Sequence, residues 1–456
     1  MIYSRAVLTL LCLAMGLVNV SAFVQRPVLN PQSSSSKVVM SATEGFWRDM
    51  AKKTAAGVLG ALALSHTLPI IPAHQALAAD YNVEGSKYKM GKALNAPTGS
   101  GTRVNKDPES LLRYGLPINS KKARELQAAV EGVKSDILIK RWGAGIAGVQ
   151  KARTVLGKEA ELLKEVRPSA QAEGKKAIQE LKDLLDPLEQ ILASKEGTGT
   201  VQEREKLDKA YAAQDKVARA VGALEELMVP ENFAREVPEE YAGLPRLNGR
   251  ATVEMVLVKG PEDEDGKFDV EGTLYDECRL VLTLDGYNAP VSAGTVMDLV
   301  DKGFYKGLTV IRSDGFVVQT GDPDPESDKV DGYTPPGSKK VRTVPLEIAV
   351  AGDPELLYGA TTEDDGRGFA QTVLPFQAYG ALGMARTEAE PDSASSQFFF
   401  LLFDSDLTPA GKNLLDGRYT NFGYVTEGAD ILKDVKEGDI IKSAKILTGK
   451  SGLVQP

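Results

Sequence analysis

The residues whose types could do chemistry lie in four short blocks near the C-terminus. They read GFVVQTGD at 315–322, GALGMAR at 380–386, SSQFFFLL at 395–402 and LDGRYTNFGYV at 415–425. Most of these residues suit an apolar core, but Gln319 and Gln397 do not, because a buried amide without a partner is costly. The blocks therefore predict an apolar groove with a few polar groups.

Composition excludes several classes of site. The histidines are His66 and His74, both within the first 79 residues, so the rest of the chain has no histidine for a Ser-His triad or a His-ligated metal. Cys278 is the single cysteine of that part, which excludes a disulfide within it. We expect no metal and no organic cofactor. Beyond residue 79 there are 48 Lys/Arg and 61 Asp/Glu, a formal charge of −13, which disfavours binding to nucleic acid or anionic lipid.

The first 79 residues have the character of successive targeting segments. Residues 1–22 contain Arg5, an apolar run and small residues, as in a secretory signal peptide. Residues 23–50 are Ser-rich like a transit segment, and residues 51–79 form a second signal with an A-x-A cleavage pattern. Two stacked signals predict more than one membrane crossing. The first resembles the presequences of algae whose plastids lie inside the endoplasmic reticulum, and the second resembles a thylakoid lumen-targeting peptide, which implies a location in the thylakoid lumen. Ser, His and Pro interrupt the second apolar run, which argues against a stable membrane anchor.

The remaining chain divides by its periodicity into four regions. They are an extended lead-in (80–107), a helical region (108–228), a Pro-punctuated linker (229–249) and a strand-rich region (250–456). In the helical region apolar residues recur at spacings of three and four over four stretches, which predicts an antiparallel bundle. Pro187 lies inside the third stretch and should kink or split it. After Arg250 the pattern alternates, as in TVEMVLV at 252–258, which is typical of half-buried strands.

The strand-rich region resembles the cyclophilins. The four blocks occur in that family's order, and the sequence NAPVSAGTVMDLVDKGFYKGLTVIRSDGFVVQTGD at 288–322 is similar to its first helix, the next strand and the Gln-bearing strand. The resemblance implies an α+β chain of two domains, in which a closed antiparallel β-barrel with flanking helices follows the antiparallel helical bundle. It also implies peptidyl-prolyl cis/trans isomerisation, in which an apolar pocket holds a proline ring while an arginine weakens the amide resonance.

The resemblance assigns substrate binding to eight residues: Phe316, Gln319, Met384, Ala385, Gln397, Phe399, Leu414 and Tyr419. The apolar members of this set would form the proline pocket, and the two glutamines would position the peptide. Leu414 stands where many cyclophilins have a tryptophan at the pocket rim, and Tyr419 replaces a pocket histidine. Acidic, Gly/Pro-rich insertions at 322–340 and 351–368 are predicted to be surface loops next to the groove.

The arginine that cyclophilins use in catalysis is displaced by one residue. The family's Phe-His-Arg run aligns with 309–311, so Ile311 occupies the arginine position and Arg312 follows it. On an uninterrupted strand a shift of one residue sends the side chain to the other face. Arg312 should then point away from a bound proline, unless a bulge redirects it. Arg386, which follows GMA, could instead project its guanidinium over the groove.

Two functions remain open from the sequence. The resemblance implies a lumenal peptidyl-prolyl isomerase that acts as a foldase or chaperone in photosystem II assembly or maintenance, with weak turnover because of Ile311. The alternative is a non-catalytic scaffold that binds proline-containing segments while the bundle makes the main partner contacts. The expected partners are proline-containing protein segments, lumenal loops of photosystem II proteins among them, and the bundle could also contact the barrel.

Overall fold

A computed structural model describes residues 105–263, 265–326, 332–368, 370–403 and 413–456. All of these residues belong to one compact unit. The predicted targeting segments, and the lead-in as far as residue 104, lie outside the described residues. Within the described ranges no helix is both long and apolar enough to cross a membrane.

Helices form the first domain. In chain order they are α1 (Pro108–Tyr114), α2 (Lys121–Leu138), α3 (Trp142–Leu156), α4 (Glu159–Glu165), α5 (Gln171–Ala193) and α6 (Val201–Glu226). Helices α2, α3, α5 and α6 make a bundle in which α2 packs against α3 and α6, and α5 packs against the same two helices. Helix α5 continues through Pro187, so the proline does not split it.

Capping groups and buried stripes explain why these segments are helical. Ser120 accepts a hydrogen bond from the N–H of Ala123 at 3.2 Å, and Thr200 accepts one from the N–H of Glu203 at 3.2 Å. These caps satisfy donors that the first turn of a helix leaves unpaired. In α5 the buried apolar stripe consists of Ile178, Leu181, Leu185, Leu188 and Leu192. Burial of such stripes against neighbouring helices contributes most of the stability of a bundle.

Eight antiparallel strands form the main sheet of the second domain, in the order β13–β2–β5–β12–β10–β11–β7–β6. They are β2 (Arg250–Val258), β5 (Cys278–Asp285), β6 (Val310–Ser313), β7 (Val317–Thr320), β10 (Ala381–Met384), β11 (Phe398–Leu401), β12 (Asn421–Glu427) and β13 (Ile440–Thr448). Alternate side chains along a strand enter two apolar clusters on opposite faces. The inner cluster, which includes Phe398, Phe400 and Phe422, surrounds helix α7 (Pro290–Asp301). The outer cluster, which includes Phe399, Phe376 and Tyr424, lies on the other face of the sheet.

Short strand pairs flank this sheet. β3 (Phe268–Val270) pairs with β4 (Thr273–Tyr275), and β8 (Glu347–Ile348) pairs with β9 (Leu357–Tyr358). β1 (Arg246–Leu247), at the end of the linker, pairs with β14 (Leu453–Val454) near the C-terminus.

The main sheet is curled but open, so the expectation of a closed barrel is wrong. Its edge strands β13 and β6 meet through an isolated bridge between Thr309 and Ile440, and no continuous ladder joins them within the described residues. Helix α7 packs against β13 and supplies Val291, Met297 and Leu299 to the inner cluster. Four backbone hydrogen bonds between residues 307–310 and 438–441 pair the start of this edge, and α7 fills the concave side of the sheet.

The two domains make contact through α1, α6 and the start of β2. Leu111 and Leu112 of α1 belong to the outer cluster of the sheet. The guanidinium of Arg250 donates to Asp285 at 3.0 Å from Nε and to Glu226 of α6 at 3.0 Å from Nη1. It also donates to the carbonyl oxygen of Leu112. One largely buried arginine therefore links strands β2 and β5 to two helices of the first domain.

We expect the Arg250→Ala substitution to lower the free energy of unfolding by about 3–5 kcal/mol, because it leaves the fully buried carboxylate of Asp285 without its charged partner. The matched control is Arg279→Ala, which removes an ion pair with Glu254 whose arginine side chain is 62% exposed. That change should cost less than about 1 kcal/mol. Urea unfolding of both variants measures the difference, and equal small losses would contradict the proposed importance of the buried pair.

Candidate active site

The hairpin of β6 and β7 contains a register shift that decides where Arg312 lies. Val310 is paired with Thr320, but the next pair is Arg312 with Gln319, so Ile311 is an extra residue in β6. Opposite residues of an antiparallel pair share one face of the sheet. The bulge therefore places Arg312 on the side of Gln319. The expectation that Arg312 points away from the groove assumed an uninterrupted strand, and β6 is interrupted at this point.

Asp314 fixes both the turn and the arginine. Its Oδ2 accepts a hydrogen bond from Nε of Arg312 at 2.7 Å and a second one from Nη2. Its Oδ1 accepts from the N–H groups of Phe316 and Val317, both at 3.0 Å. Burial favours the neutral carboxyl, but these hydrogen bonds and the charge of Arg312 prevail and lower the pKa of Asp314. The guanidinium is consequently held by one edge, through Nε and Nη2.

A chain of side-chain amides positions Gln319. Nε2 of Gln319 donates to Oε1 of Gln397 at 2.9 Å, and Nε2 of Gln397 donates to Asp322 at 2.8 Å. Gln397 is 8% exposed and Gln319 is half-buried. The partners explain why these amides are tolerated here, because a buried polar group must be hydrogen-bonded. The two predicted positioning residues therefore lie next to each other, beside Arg312.

Phe399, in the outer cluster, is the candidate floor of the predicted apolar pocket. Its ring stacks on Phe376 with centroids 5.9 Å apart, and Tyr419 contacts it edge-on at 5.9 Å. Gly383 is its partner on the neighbouring strand β10, and a Cβ at that position would lie 2.1 Å from Cζ of Phe399. The ring therefore lies flat across Gly383 and packs against Phe376 and Tyr419, with 5% of the residue exposed.

The other predicted pocket residues fall into three environments. Ala385 and Tyr419 are half-buried and pack against the outer cluster. Phe316 and Leu414 are 44% and 46% exposed, as suits a rim. Met384 belongs to the inner cluster and is 2% exposed, so it supports the sheet from behind and does not line the pocket. The prediction that Met384 binds substrate is therefore corrected. Met384 is paired with Phe398 on the neighbouring strand, and both side chains face the inner cluster.

Sequence reasoning missed two apolar residues of the pocket side. Val317 and Leu415 both belong to the outer cluster with Phe399. Val317 precedes Gln319 by two residues on β7, so strand alternation already predicts that the two share a face. Leu415 gives no such signal, because it lies in a turn before β12.

Arg386 is bound by the protein itself. Its Nε and Nη2 donate to the carbonyl oxygen of Arg418 at 3.0 and 2.7 Å, and its Nη1 donates to the carbonyl oxygens of Thr387 and Glu388. Its Cζ lies 4.9 Å from the ring centroid of Tyr419. Burial raises the pKa of Tyr419, and the charges of Arg386 and Arg312 oppose that rise. The guanidinium of Arg386 therefore lies against the Tyr419 ring.

The Gly383→Ala substitution should displace the Phe399 ring, because the new methyl group would overlap it. We expect the affinity for a proline-containing peptide to fall by about tenfold, with a smaller loss of stability than a core deletion causes. Titration calorimetry with an Ala-Pro-containing peptide measures the affinity. Gly132→Ala, in helix α2, is a control for a glycine whose added Cβ meets nothing within 4 Å and whose φ is not positive. An unchanged affinity in the Gly383 variant would show that Phe399 is not the floor.

Comparison with known proteins yields a match for each domain. Residues 269–449 match the family described as cyclophilin type peptidyl-prolyl cis-trans isomerase/CLD. Residues 107–229 match the family described as peptidyl-prolyl cis-trans isomerase CYP38-like, PsbQ-like domain.

Several curated proteins are similar over most of the chain. The chloroplastic peptidyl-prolyl cis-trans isomerase CYP38 of Arabidopsis thaliana is 42% identical over 356 residues, which cover 77% of this chain and 76% of that protein. A Synechocystis protein named as a thylakoid lumen peptidyl-prolyl cis-trans isomerase is 41% identical, over 76% of this chain and 84% of its own length. The chloroplastic CYP37 of Arabidopsis thaliana is 30% identical, over 78% of this chain and 72% of its own length.

Proposed function

Because the chain belongs to the cyclophilin-type peptidyl-prolyl cis-trans isomerases, we propose that its groove binds an X–Pro segment and catalyses rotation about the bond before the proline. The observation that carries this proposal is the bulge that brings Arg312 opposite Gln319. The chloroplast and thylakoid-lumen relatives assign the protein to the thylakoid lumen. Uncatalysed rotation takes tens to hundreds of seconds, so it can limit the folding of a protein that has been transported there.

The geometry suggests how each side chain would act. The apolar ring of the proline would lie on Phe399, with Phe316 and Tyr419 at its sides. Gln319, fixed by its own hydrogen bonds, would hold the peptide backbone. The amide loses its resonance as the bond rotates, and its nitrogen becomes a hydrogen-bond acceptor. Arg312 would donate to that nitrogen from the edge of the guanidinium that Asp314 does not occupy, and so stabilise the transition state electrostatically.

Turnover is proposed to be weak, for a reason different from the one the sequence suggested. Ile311 does not replace the arginine, since the bulge returns Arg312 to the groove side. Instead, Asp314 neutralises part of the charge of Arg312 and restrains two of its nitrogens. A guanidinium shared with a carboxylate is a poorer donor to a developing lone pair. The clients are proposed to be proline-containing lumenal segments, including those of photosystem II proteins, during assembly or maintenance.

The same ion pair favours a second candidate function. If Asp314 still holds Arg312 while a peptide is bound, the groove would bind proline-containing segments without rotating their X–Pro bonds. The protein would then act as an assembly chaperone or scaffold. The pocket floor and Gln319 are present in either case. Binding and turnover must therefore be measured separately on the same peptide.

Arg312→Ala should lower kcat for an Ala-Pro peptide by about 10²-fold, because it removes a transition-state donor. Its effect on peptide affinity should stay within about threefold, since the apolar floor is untouched. The matched control is Ile311→Ala, which truncates the neighbouring bulge residue and should leave kcat unchanged. A protease-coupled isomerase assay and calorimetry, both on the protein from residue 80 onward, provide the two quantities.

The two candidate functions predict different results in the unmodified protein. Measurable turnover that disappears in the Arg312 variant supports the isomerase. If the protein binds the peptide without turnover, and neither substitution changes the affinity, the binding function replaces the isomerase function. Turnover that depends on Ile311 and not on Arg312 would contradict the assignment of the donor.

A further inference from the structure

We propose that Arg386 is a positioning residue that fixes the Tyr419 wall of the proline pocket, and that it is not the catalytic donor. This inference deepens the proposed function and rests on it, because it concerns the same groove. It depends on three sets of contacts: the hydrogen bonds of the guanidinium, its approach to the tyrosine ring, and the support of the turn from its other side.

The hydrogen bonds of Arg386 connect two segments that are far apart in sequence. Two of its nitrogens converge on the carbonyl oxygen of Arg418, and Nη1 bridges the carbonyl oxygens of Thr387 and Glu388 at 2.8 and 3.1 Å. Four hydrogen bonds engage all three nitrogens of the side chain. A guanidinium has five N–H groups, so little donor capacity is left for a substrate. The planar fork is therefore used to join the loop after β10 to the turn before β12.

The ring of Tyr419 lies between this cation and the pocket floor. Its centroid is 4.9 Å from Cζ of Arg386 and 5.9 Å from that of Phe399, which it meets edge-on. A cation near an aromatic face contributes roughly 0.5–2 kcal/mol, and an edge-on ring pair contributes a comparable amount. Tyr419 immediately follows the residue whose carbonyl oxygen Arg386 binds. Loss of the guanidinium would thus remove contacts from both the backbone and the ring of this wall.

The 361–368 segment supports the same turn from the opposite side. The N–H of Thr362 donates to the carbonyl oxygen of Gly417 at 2.9 Å, and the side chain of Arg418 pairs with Glu363 at 2.7 Å. Gly417 has φ of +77°, and a Cβ there would lie 2.1 Å from Oγ1 of Thr362. This close approach anchors the base of the turn. The Tyr419 ring itself is contacted by Arg386 and by Phe399.

Arg386→Ala should weaken the binding of an Ala-Pro-containing peptide by about tenfold while kcat at saturation stays within about twofold. The matched control is Arg418→Ala, which removes another nearby positive charge and its ion pair with the half-exposed Glu363 but keeps the carbonyl oxygen that Arg386 binds. Its affinity should stay within about twofold. Arg386→Lys should not restore binding, since an ammonium cannot reproduce the planar fork.

A double-substitution cycle tests the route of the effect. If Arg386 acts through Tyr419, the losses of affinity from Arg386→Ala and Tyr419→Ala should not add in the double variant. Additive losses would overturn the proposal. A fall in kcat at unchanged affinity would overturn it too, and would make Arg386 a catalytic residue.

A measurement without substrate separates this inference from the proposed function. In protein with 13C-labelled tyrosine rings, the Tyr419 signal can be assigned by its loss in Tyr419→Phe. It should shift in Arg386→Ala and remain in place in Arg418→Ala. If the unmodified protein neither binds nor isomerises the peptide, the proposed function fails, and the tyrosine signal still decides the inference. An unmoved signal in Arg386→Ala would overturn it.

Discussion

The pleat of the curled sheet is the constraint on which the rest of the molecule depends. On β11, Phe398 and Phe400 point to the inner cluster with α7, whereas Phe399 between them points to the outer cluster. A one-residue change of register reverses these assignments for a whole strand. The bulge at Ile311 uses this rule locally: it reverses the faces only within β6, and so leaves Arg312 beside Gln319 without disturbing β7. Core and groove are therefore two sides of the same strands.

The outer cluster also ties the groove to the domain contact. Leu111 and Leu112 of α1 belong to the same apolar cluster as Phe399, Leu374 and Phe376. The layer beneath the pocket thus continues into the surface that the helical domain covers. Arg250 closes this contact with hydrogen bonds to both domains, and its low exposure means that the ion pairs are poorly screened by solvent. The position of the helical domain is set by buried groups, and the linker alone does not define it.

Much of the fold follows from periodicity in the sequence, and the site follows less completely. The stripe from Ile178 to Leu192 predicts a helix because its spacing is unambiguous, and α5 includes it despite Pro187. The closed barrel was wrong because the sequence does not reveal that β6 and β13 meet at an isolated bridge and not along a ladder. Met384 was misplaced because a motif gives the identity of a residue and not its face. The bulge at Ile311 could not be derived either, since one extra residue leaves the hydrophobic pattern of so short a strand unchanged.

The environment of the two arginines is the basis of our proposal that the groove holds proline and rotates the bond slowly. Each guanidinium beside the pocket is bound by acceptors of the protein itself: Arg312 by a carboxylate and Arg386 by backbone carbonyl oxygens. Such contacts make the groove rigid, and rigidity lowers the entropic cost of binding a peptide. They also compete with the prolyl nitrogen for the same N–H groups. Only Arg312 shares a face with Gln319 and keeps one nitrogen, Nη1, without a hydrogen bond to the described residues. The N–H groups of Nη1 and the second N–H of Nη2 therefore remain for the prolyl nitrogen. In our proposal the apolar floor sets the affinity, and the hold of Asp314 on Arg312 sets the rate.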